Sequence, residues 1–467
     1  MAVLASWRVA LLVLVVLGSQ AMASWCFNRT GWGTPNTLQF DDGTGANARV
    51  VKSTRNGVLK QVGSTSKGNV IHIAHVWGRN NYDFGFAAGQ LLGGLVNRTI
   101  TTALDRLYAS TIRQLEQDDP KIPPWVAELI AVLGIDGFLD HLYELNKAWV
   151  DPGVFDEIRG LSDATGTDAV QLRRMAFFGM MIRAACSMVG ADGSATLDGH
   201  RVFLRAFDWE TGVGLQDAPV ITVYHPLEPS LGIPWANIAW AGYIGTLTGV
   251  NSANISSGQI GVGRLDRADC AAMFLNESWH GEPFVLTLRR TMQRATSVAE
   301  VQNMWANAHR TCHIFVGAAQ GHAPSQNGTS PGYFMAASSA ERIFFYDDWT
   351  AVAPTAAWHP PVRDTASEWM SCVCEEIQRK GTGMLKQFHG HLEPELIVRN
   401  ITAVVQTGNL VTWAVDLDTG VAFVANARPD GFDDPAWGDG HAYTRAFVKL
   451  NINEWWAEPR PTVDRDA

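Results

Sequence analysis

Ala184-Ala185-Cys186-Ser187-Met188 and, from Arg205 on, Arg205-Ala206-Phe207-Asp208-Trp209 are the two stretches from which the fold of this chain is read. Before Cys186 the apolar positions recur at three and four. Ile100, Leu104, Leu107, Tyr108, Ile112 and Leu115 mark one amphipathic helix, and Leu129, Val132, Leu133, Leu139, Leu142 and Leu145 a second, with Pro123-Pro124 between them. Shorter helices are expected at 154–162 and 168–183. From Cys186 onward the period becomes that of strands, with β-like runs at 186–189, 202–206, 220–224, 238–241, 244–250 and 259–262. The change falls at Cys186 itself.

That position suggests a chemistry. If the chain is cut before Cys186, the residue carries a thiol and a free α-amine on one framework, a nucleophile with its own base. An unperturbed thiol near pKa 8.5 is mostly protonated at neutral pH, whereas an α-amine titrates at about 7.7 to 8.0 and can take the thiol proton. Arg205 would favour the thiolate by charge, and Asp208 could hold the amine by accepting its hydrogens. A hairpin with Val189 opposite Val202 would set Cys186 opposite Arg205. Asp208 would then point to the other face unless the strand ends or bends at Ala206-Phe207.

Outward from this centre, residues 24–70 read as a polar, Gly-rich opening and 69–76 as a strand. The small residues between Gly78 and Gly89 would let a helix pack closely. Helices are expected at 283–295, 297–308 and 364–379, and strands at 312–317, 332–337 and 342–346. Leu410–Leu417 and Val421–Asn426, joined by Asp418-Thr419-Gly420, form a hairpin. Helices on both sides of a strand-rich part, without a βαβ rhythm, predict an α+β fold with antiparallel sheets between helical layers.

Residues 1–23 read as a signal peptide, with an apolar run at 9–17 and Ala21-Met22-Ala23 as a small-x-small cleavage pattern. The run is too short for a membrane span, and no transmembrane anchor is expected. Asn28, Asn97, Asn254, Asn276, Asn327 and Asn400 stand in N-x-[ST] sequons, which suggests a secreted or lysosomal glycoprotein. A net charge of −10 with no basic run argues against nucleic acid as a partner. The cysteines are Cys26, Cys186, Cys270, Cys312, Cys372 and Cys374. With Cys186 reserved for chemistry five remain, and no bridge is assigned.

His72-x-x-His75 and His389-x-His391 lack the His-Glu-x-x-His pattern and read as core or solvated histidines rather than metal ligands. Asp347-Asp348-Trp349 could suggest sugar chemistry, although adjacent Asp side chains usually diverge in a turn.

Cys186-Ser187-Met188-Val189 followed by Phe203-Leu204-Arg205-Ala206-Phe207-Asp208-Trp209 resembles the start of the catalytic chain in cysteine-type N-terminal nucleophile (Ntn) hydrolases. That group, the choloylglycine hydrolase superfamily, includes bile salt hydrolases, penicillin V acylase, acid ceramidase and acyl-CoA:isopenicillin N acyltransferase. The interval from Cys186 to Arg205 is longer by about three than in those proteins, a difference a hairpin loop can absorb. Asp156–Asp163 resembles the acyltransferase group's segment ahead of its cleavage site, and Trp240–Asn251 its Gly-rich run. Gln406-Thr407-Gly408-Asn409 and Val424–Arg428 resemble its final strands.

The resemblance covers most of residues 70–455 and includes amoebal acid ceramidase-like proteins. It implies a four-layer αββα sandwich of two packed antiparallel sheets. A mainly helical α-chain, 24–185, and a catalytic β-chain, 186–467, would be released by self-cleavage and stay associated in one domain. Cys186 would be nucleophile and base, and Arg205 and Asp208 its activating pair. Asn251 would be an oxyanion donor through its backbone or side chain, and Arg428 a C-terminal active-site arginine. The family's second oxyanion Asn, in a Thr-Asn-x-Pro context, has no counterpart around Tyr346–Pro354. The implied substrate is a small acyl amide or lipid, a ceramide-like molecule or an N-acylethanolamine, cleaved at a linear non-peptide amide without cofactor or metal. An acyltransferase or phospholipase B-like esterase on the same fold, and a non-catalytic or sugar-binding glycoprotein, are the alternatives.

Overall fold

The change of period at Cys186 is a change of layer. A computed structural model describes residues 31–116, 124–181, 186–209, 211–261, 278–312, 314–322, 333–338, 343–345, 367–371, 375–429 and 440–462. The strands are β1 (Asp41–Asp42), β2 (Arg49–Thr54), β3 (Gly57–Val62), β4 (Ile71–Gly78), β5 (Cys186–Ala191), β6 (Val202–Phe207), β7 (Pro219–Pro226), β8 (Trp235–Trp240), β9 (Thr248–Asn251), β10 (Ile255–Gly261), β11 (Ile314–Gln320), β12 (Tyr333–Ser338), β13 (Ile343–Phe345), β14 (Ser367–Ser371), β15 (Val411–Asp416), β16 (Val421–Asn426) and β17 (Val448–Asn451). They form a seven-stranded sheet, β1-β17-β16-β15-β6-β5-β14, and a ten-stranded sheet, β13-β12-β11-β10-β9-β8-β7-β4-β3-β2. The main helices are α1 (Asn81–Glu116), α2 (Pro124–Asn146), α3 (Pro152–Thr165), α4 (Ala169–Phe178), α5 (Phe284–Arg294), α6 (Val298–Asn307) and α7 (Glu375–Gln387).

The alternation of side chains along each strand assigns the layers. Cys186 and Met188 of β5, with Phe203 and Phe207 of β6, belong to the core between the sheets. Val189, Ala191, Val202 and Leu204 face the opposite way, into a second core built with Ile377, Met384 and Leu385 of α7 and with the helical run 394–405. The far side of the ten-stranded sheet is covered by α1, packed on β3 and β4, and by α5 and α6, packed on β8 to β11. The order is therefore helix, sheet, sheet, helix, the α+β class expected.

The sheets are mixed rather than purely antiparallel. β1 pairs parallel to β17, and β4 pairs parallel to β7. A hairpin forces its strands antiparallel, but β4 and β7 are separated by α1 to α4 and the β5–β6 hairpin. So long a connection can return the chain in its starting direction. The seven register pairs from His72↔Val220 to Gly78↔Pro226 also place strands from both sides of Cys186 in one sheet.

Three further differences have local causes. The segment expected as helix 364–379 contains β14 and only then α7, because β14 pairs along β5 from Ser371↔Ser187 to Ser367↔Ala191 and satisfies that strand's backbone groups. The opening 24–70 holds β1, β2 and β3. Every residue of β2 before Thr54 is exposed, so no apolar period marks it. The small residues of α1 do meet another helix: a Cβ on Gly85 would lie 1.9 Å from the Glu157 carbonyl oxygen, and one on Gly160 would lie 2.2 Å from that of Tyr82. That approach, with Asp151 capping α3 and Pro152 in its first turn, fixes α3 against α1.

Among the described residues no helix is long and apolar enough to cross a membrane. The expected signal peptide, the Ala184-Ala185 side of the cleavage site, Asn28, Asn276, Asn327, Cys26, Cys270, Cys372, Cys374 and Asp347-Asp348-Trp349 lie outside the described residues.

Candidate active site

Cys186 is the first residue of β5 and its thiol is buried between the sheets. The hairpin register differs from the expected one by two residues. Cys186 lies opposite Phe207, Met188 opposite Arg205 and Ala191 opposite Val202. β5 runs further toward the turn than its apolar core suggests, through Gly190-Ala191, while β6 starts at Val202 as expected. Because the difference is two and not one, face is conserved, and Arg205 still points to the same side as Cys186, one diagonal step away.

Arg205 is wholly buried, and among the described residues none of its three guanidinium nitrogens makes a well-formed hydrogen bond; its one side-chain contact of that kind is a looser one to the Cys186 thiol. The group stacks over the Phe207 ring at 4.8 Å. Space for its stem comes from Gly258 of β10, where a Cβ would sit 2.9 Å from Arg205 Cγ. Burial lowers the pKa of this arginine, and the neighbouring Cys186 and Asp208 oppose that effect. Burial also pushes the Cys186 thiol up to about 11, while the Arg205 charge and the Asp208 backbone N–H pull it down. The thiol is thus held protonated beside the Arg205 cation.

β6 ends at Phe207, so Asp208 is the first residue released from the strand. Its carboxylate is held by the turn that leads into β15. Thr407 Oγ1 donates to Oδ2 at 2.6 Å, and the backbone N–H groups of Gly408 and Asn409 donate to Oδ1 at 2.7 and 2.9 Å. Burial raises the Asp208 pKa, and these three donors and Arg205 hold it down. Asn409 also clasps the neighbouring backbone, accepting from Trp209 N and donating to Trp209 O. Gly408 has φ +83, and a Cβ there would lie 2.2 Å from Thr412 Oγ1, so the turn requires glycine. Ser187 Oγ lies 2.9 Å from Thr407 Oγ1. The sequence marked 406–409 only as part of a resemblance. The signal within it is a glycine with flanking Thr and Asn donors just before a strand, the composition of an anion-holding turn.

Of the two further residues expected at the site, Asn251 has its side-chain donors committed elsewhere, and Arg428 lies just past the end of β16. Asn251 donates both amide hydrogens to the carbonyls of Met292 and Ala295, and its Oδ1 accepts from Ala253 N and Ile255 N. Its side chain pins the β9–β10 turn to the end of α5 and has no N–H left for an oxyanion. Arg428 follows Asn426, which pairs with Val411, then Phe207, then Cys186 across the sheet. Three strand spacings put the Asn426 backbone about 14 Å from that of Cys186. The charge of Arg428 acts on Arg445, and its backbone N–H donates to Gly440 O.

His75 is buried, its Nδ1 lies 3.1 Å from His225 Nε2, and His225 stacks on Trp77. His72 and His389 are half-buried, and His391 is exposed. Among the described residues no three His, Cys, Asp or Glu side chains converge as metal ligands. Among the described residues Cys186 and Cys312 are in no disulfide, and the Cys312 thiol points to the Met180 carbonyl oxygen at 3.7 Å. Of the sequons, Asn97 is exposed on α1, and Asn254 and Asn400 are half-buried.

No family model matches the chain. Two proteins of Dictyostelium discoideum are similar to it. Protein dcd1B is 26% identical over 428 residues, 88% of this chain and 79% of its own length. Protein dcd1A is 26% identical over 426 residues, 87% and 90%. Among solved structures, the N-acylethanolamine-hydrolyzing acid amidase ortholog of Caenorhabditis elegans aligns at TM-score 0.35 with 12% identity over 50% of this chain and 93% of its own. A conjugated bile acid hydrolase of Clostridium perfringens aligns at 0.35 with 10% identity, over 60% and 97%. Penicillin V acylase of Agrobacterium tumefaciens aligns at 0.31 with 11% identity, over 57% and 92%.

Proposed function

We propose that this chain is a self-processing Ntn amidohydrolase whose nucleophile is Cys186. The observation that carries the reading is Arg205, a buried guanidinium with no well-formed hydrogen bond and no bonded carboxylate, facing the same inter-sheet space as the thiol at the start of β5 and in loose contact with it. A cation in that state costs several kcal/mol unless an anion completes it, and a thiolate or a carbonyl-derived oxyanion would do so. In maturation the Cys186 sulfur attacks the Ala185 carbonyl. The C–S bond forms, the C–N bond breaks, and the proton passes to the Cys186 nitrogen. Water then hydrolyses the thioester and leaves a free α-amine.

The same steps repeat on substrate. The amine takes the thiol proton, the thiolate forms an acyl thioester, the leaving amine receives the proton, and water releases the acid. Asp208, anchored by Thr407, Gly408 and Asn409, is available to orient that α-amine. A linear N-acyl lipid, ceramide-like or an N-acylethanolamine, is the proposed substrate, on the resemblance of the 186–209 segment to the acid ceramidase group. Passage through the secretory pathway, removal of residues 1–23 and glycosylation of the exposed Asn97 belong to the same proposal.

The test is intact mass and a denaturing gel on the secreted protein. Two chains meeting at Ala185/Cys186 are expected for wild type and one uncut chain for Cys186→Ala. A wild-type chain that stays whole would falsify self-maturation. A screen of N-acyl amides against lysophospholipids, with Cys186→Ala as control, separates amidase from esterase.

A further inference from the structure

The Thr407 hydroxyl lies between two groups of the hairpin that carries Cys186. One contact runs to Asp208 Oδ2 at 2.6 Å and the other to Ser187 Oγ at 2.9 Å, and all three residues are buried. A hydroxyl has one hydrogen to donate. With Asp208 ionised, the carboxylate can only accept, so the Thr407 hydrogen is committed to Oδ2. Thr407 must then accept from Ser187, which fixes Ser187 as the donor. Oδ1 is occupied by the Gly408 and Asn409 N–H groups, and Oδ2 keeps one further lone pair. The direction of that lone pair is set by where Thr407 holds the carboxylate, and Thr407 is itself tied through Ser187 to the residue next to the nucleophile.

We infer that Thr407 is a positioning residue for Cys186 chemistry, acting through Asp208 in a directed hydrogen-bond chain Ser187→Thr407→Asp208. This rests on the proposed role of Cys186 and adds the group that orients its partner. If Asp208 takes a proton the chain can reverse, Asp208 donating to Thr407 and Thr407 to Ser187, and Oδ2 no longer offers an acceptor to the Cys186 nitrogen, a peptide N–H before the cut that becomes the amine as the C–N bond breaks. Charged groups near Asp208 are Arg205 and the thiol of Cys186. Neither replaces the Thr407 hydrogen bond, because Arg205 faces the inter-sheet side while Ser187 and Thr407 lie on the other.

The experiment follows self-cleavage of freshly translated, pulse-labelled chain shifted across a pH series, for wild type, Thr407→Val, Thr407→Ser and Ser187→Ala, with thermal melts of each. Thr407→Val keeps the shape and removes the hydrogen. A charge-assisted hydrogen bond of the usual strength corresponds to about one pH unit or more. The acid limb of the cleavage rate is therefore expected to move up by about one unit and the plateau to fall about tenfold. Thr407→Ser is expected to restore both, and Ser187→Ala to give a smaller shift in the same direction.

A Thr407→Val profile superimposed on wild type overturns the inference. So does a Thr407→Ser chain as impaired as Thr407→Val with an unchanged melt, since the methyl group would then be what matters. If Thr407→Val does not fold, an unshifted Ser187→Ala profile overturns the chain. An uncut wild-type chain removes the proposed function and this inference together, whereas a cleaved wild type with unshifted variants removes only the inference.

Discussion

Arg205 and Arg289 are both fully buried arginines of one molecule, and their surroundings treat them in opposite ways. Arg289, on α5, forms a salt bridge with Glu157 of α3 and donates to Ile244 O at 2.9 Å. It packs on the rings of Tyr224 and Trp235, which stack at 4.1 Å, and Tyr224 itself donates to Glu157 at 3.0 Å. Burial works against its charge, but Glu157 outweighs it and the pKa rises. Arg205 has no such partners, and its pKa falls with burial. One site is closed and joins the segments before and after Cys186. The other keeps a cation with no bonded carboxylate beside a thiol, a cost to stability that the nearby Asp208 and Cys186 offset only in part.

The comparison can be broken from the closed side first. Glu157→Gln should turn Arg289 into a second orphan and cost about 3–5 kcal/mol by denaturant unfolding. Glu157→Gln combined with Arg289→Met should recover much of that loss, because no charge is left buried. Additive losses in the double variant would mean that the pair is not coupled.

From the open side, Arg205→Met should leave stability unchanged or raise it by about 1–3 kcal/mol, since it deletes an unsatisfied group. Self-cleavage should fall about a hundredfold or more. A marked loss of stability on the same unfolding curve would show that Arg205 has structural partners.

A buried basic pair that stays neutral sharpens the contrast. His75 and His225 share a hydrogen bond between β4 and β7. Burial lowers both pKa values, that of His225 to about 4. Above pH 6.5 folded and unfolded imidazoles are both neutral. As pH falls toward about 4 the unfolded ring binds a proton that the buried ring refuses, so stability falls with pH. At pH 5 the loss from His225 is about 2 kcal/mol, at about 1.36 kcal/mol per unit. His225→Gln, which keeps a partner for His75, should remove that part of the slope in urea titrations at pH 5 and 7.

The smallest expected effect is at Gly258. Gly258→Ala should cost about 1 kcal/mol and slow cleavage by displacing the Arg205 stem, and the penalty should vanish in an Arg205→Ala background.

How much of this was legible follows the range of each interaction. The switch at Cys186, the two hairpins and the α5 and α6 helices are local patterns and were readable from spacing. Face survives a two-residue error in register because strand side chains repeat every two residues, so Arg205 was found on the right side although opposite Met188. β2 escaped because it has no buried face, and β14 because its partner is nearly two hundred residues away in sequence. The Asn251 side chain was not legible because an amide carries no sign of whether its donors are free. Here helix α5 takes both.

What the sequence by itself determined is the set of groups: a cysteine at the first position of a strand, an arginine on the same face, and an aspartate just past the strand's end. Those facts depend on parity and on neighbours along the chain. Only the tertiary structure decided which charges are compensated. Glu157 and Arg289 meet because α3 and α5 pack against the same sheet, and Thr407 reaches Asp208 because β15 lies beside β6. Arg205 remains without a bonded carboxylate, and Gly258, from the opposite sheet, gives its stem room and adds no side-chain acceptor. Compensation of a buried charge is a property of surrounding atoms within a few ångströms, and those atoms come from distant parts of the chain.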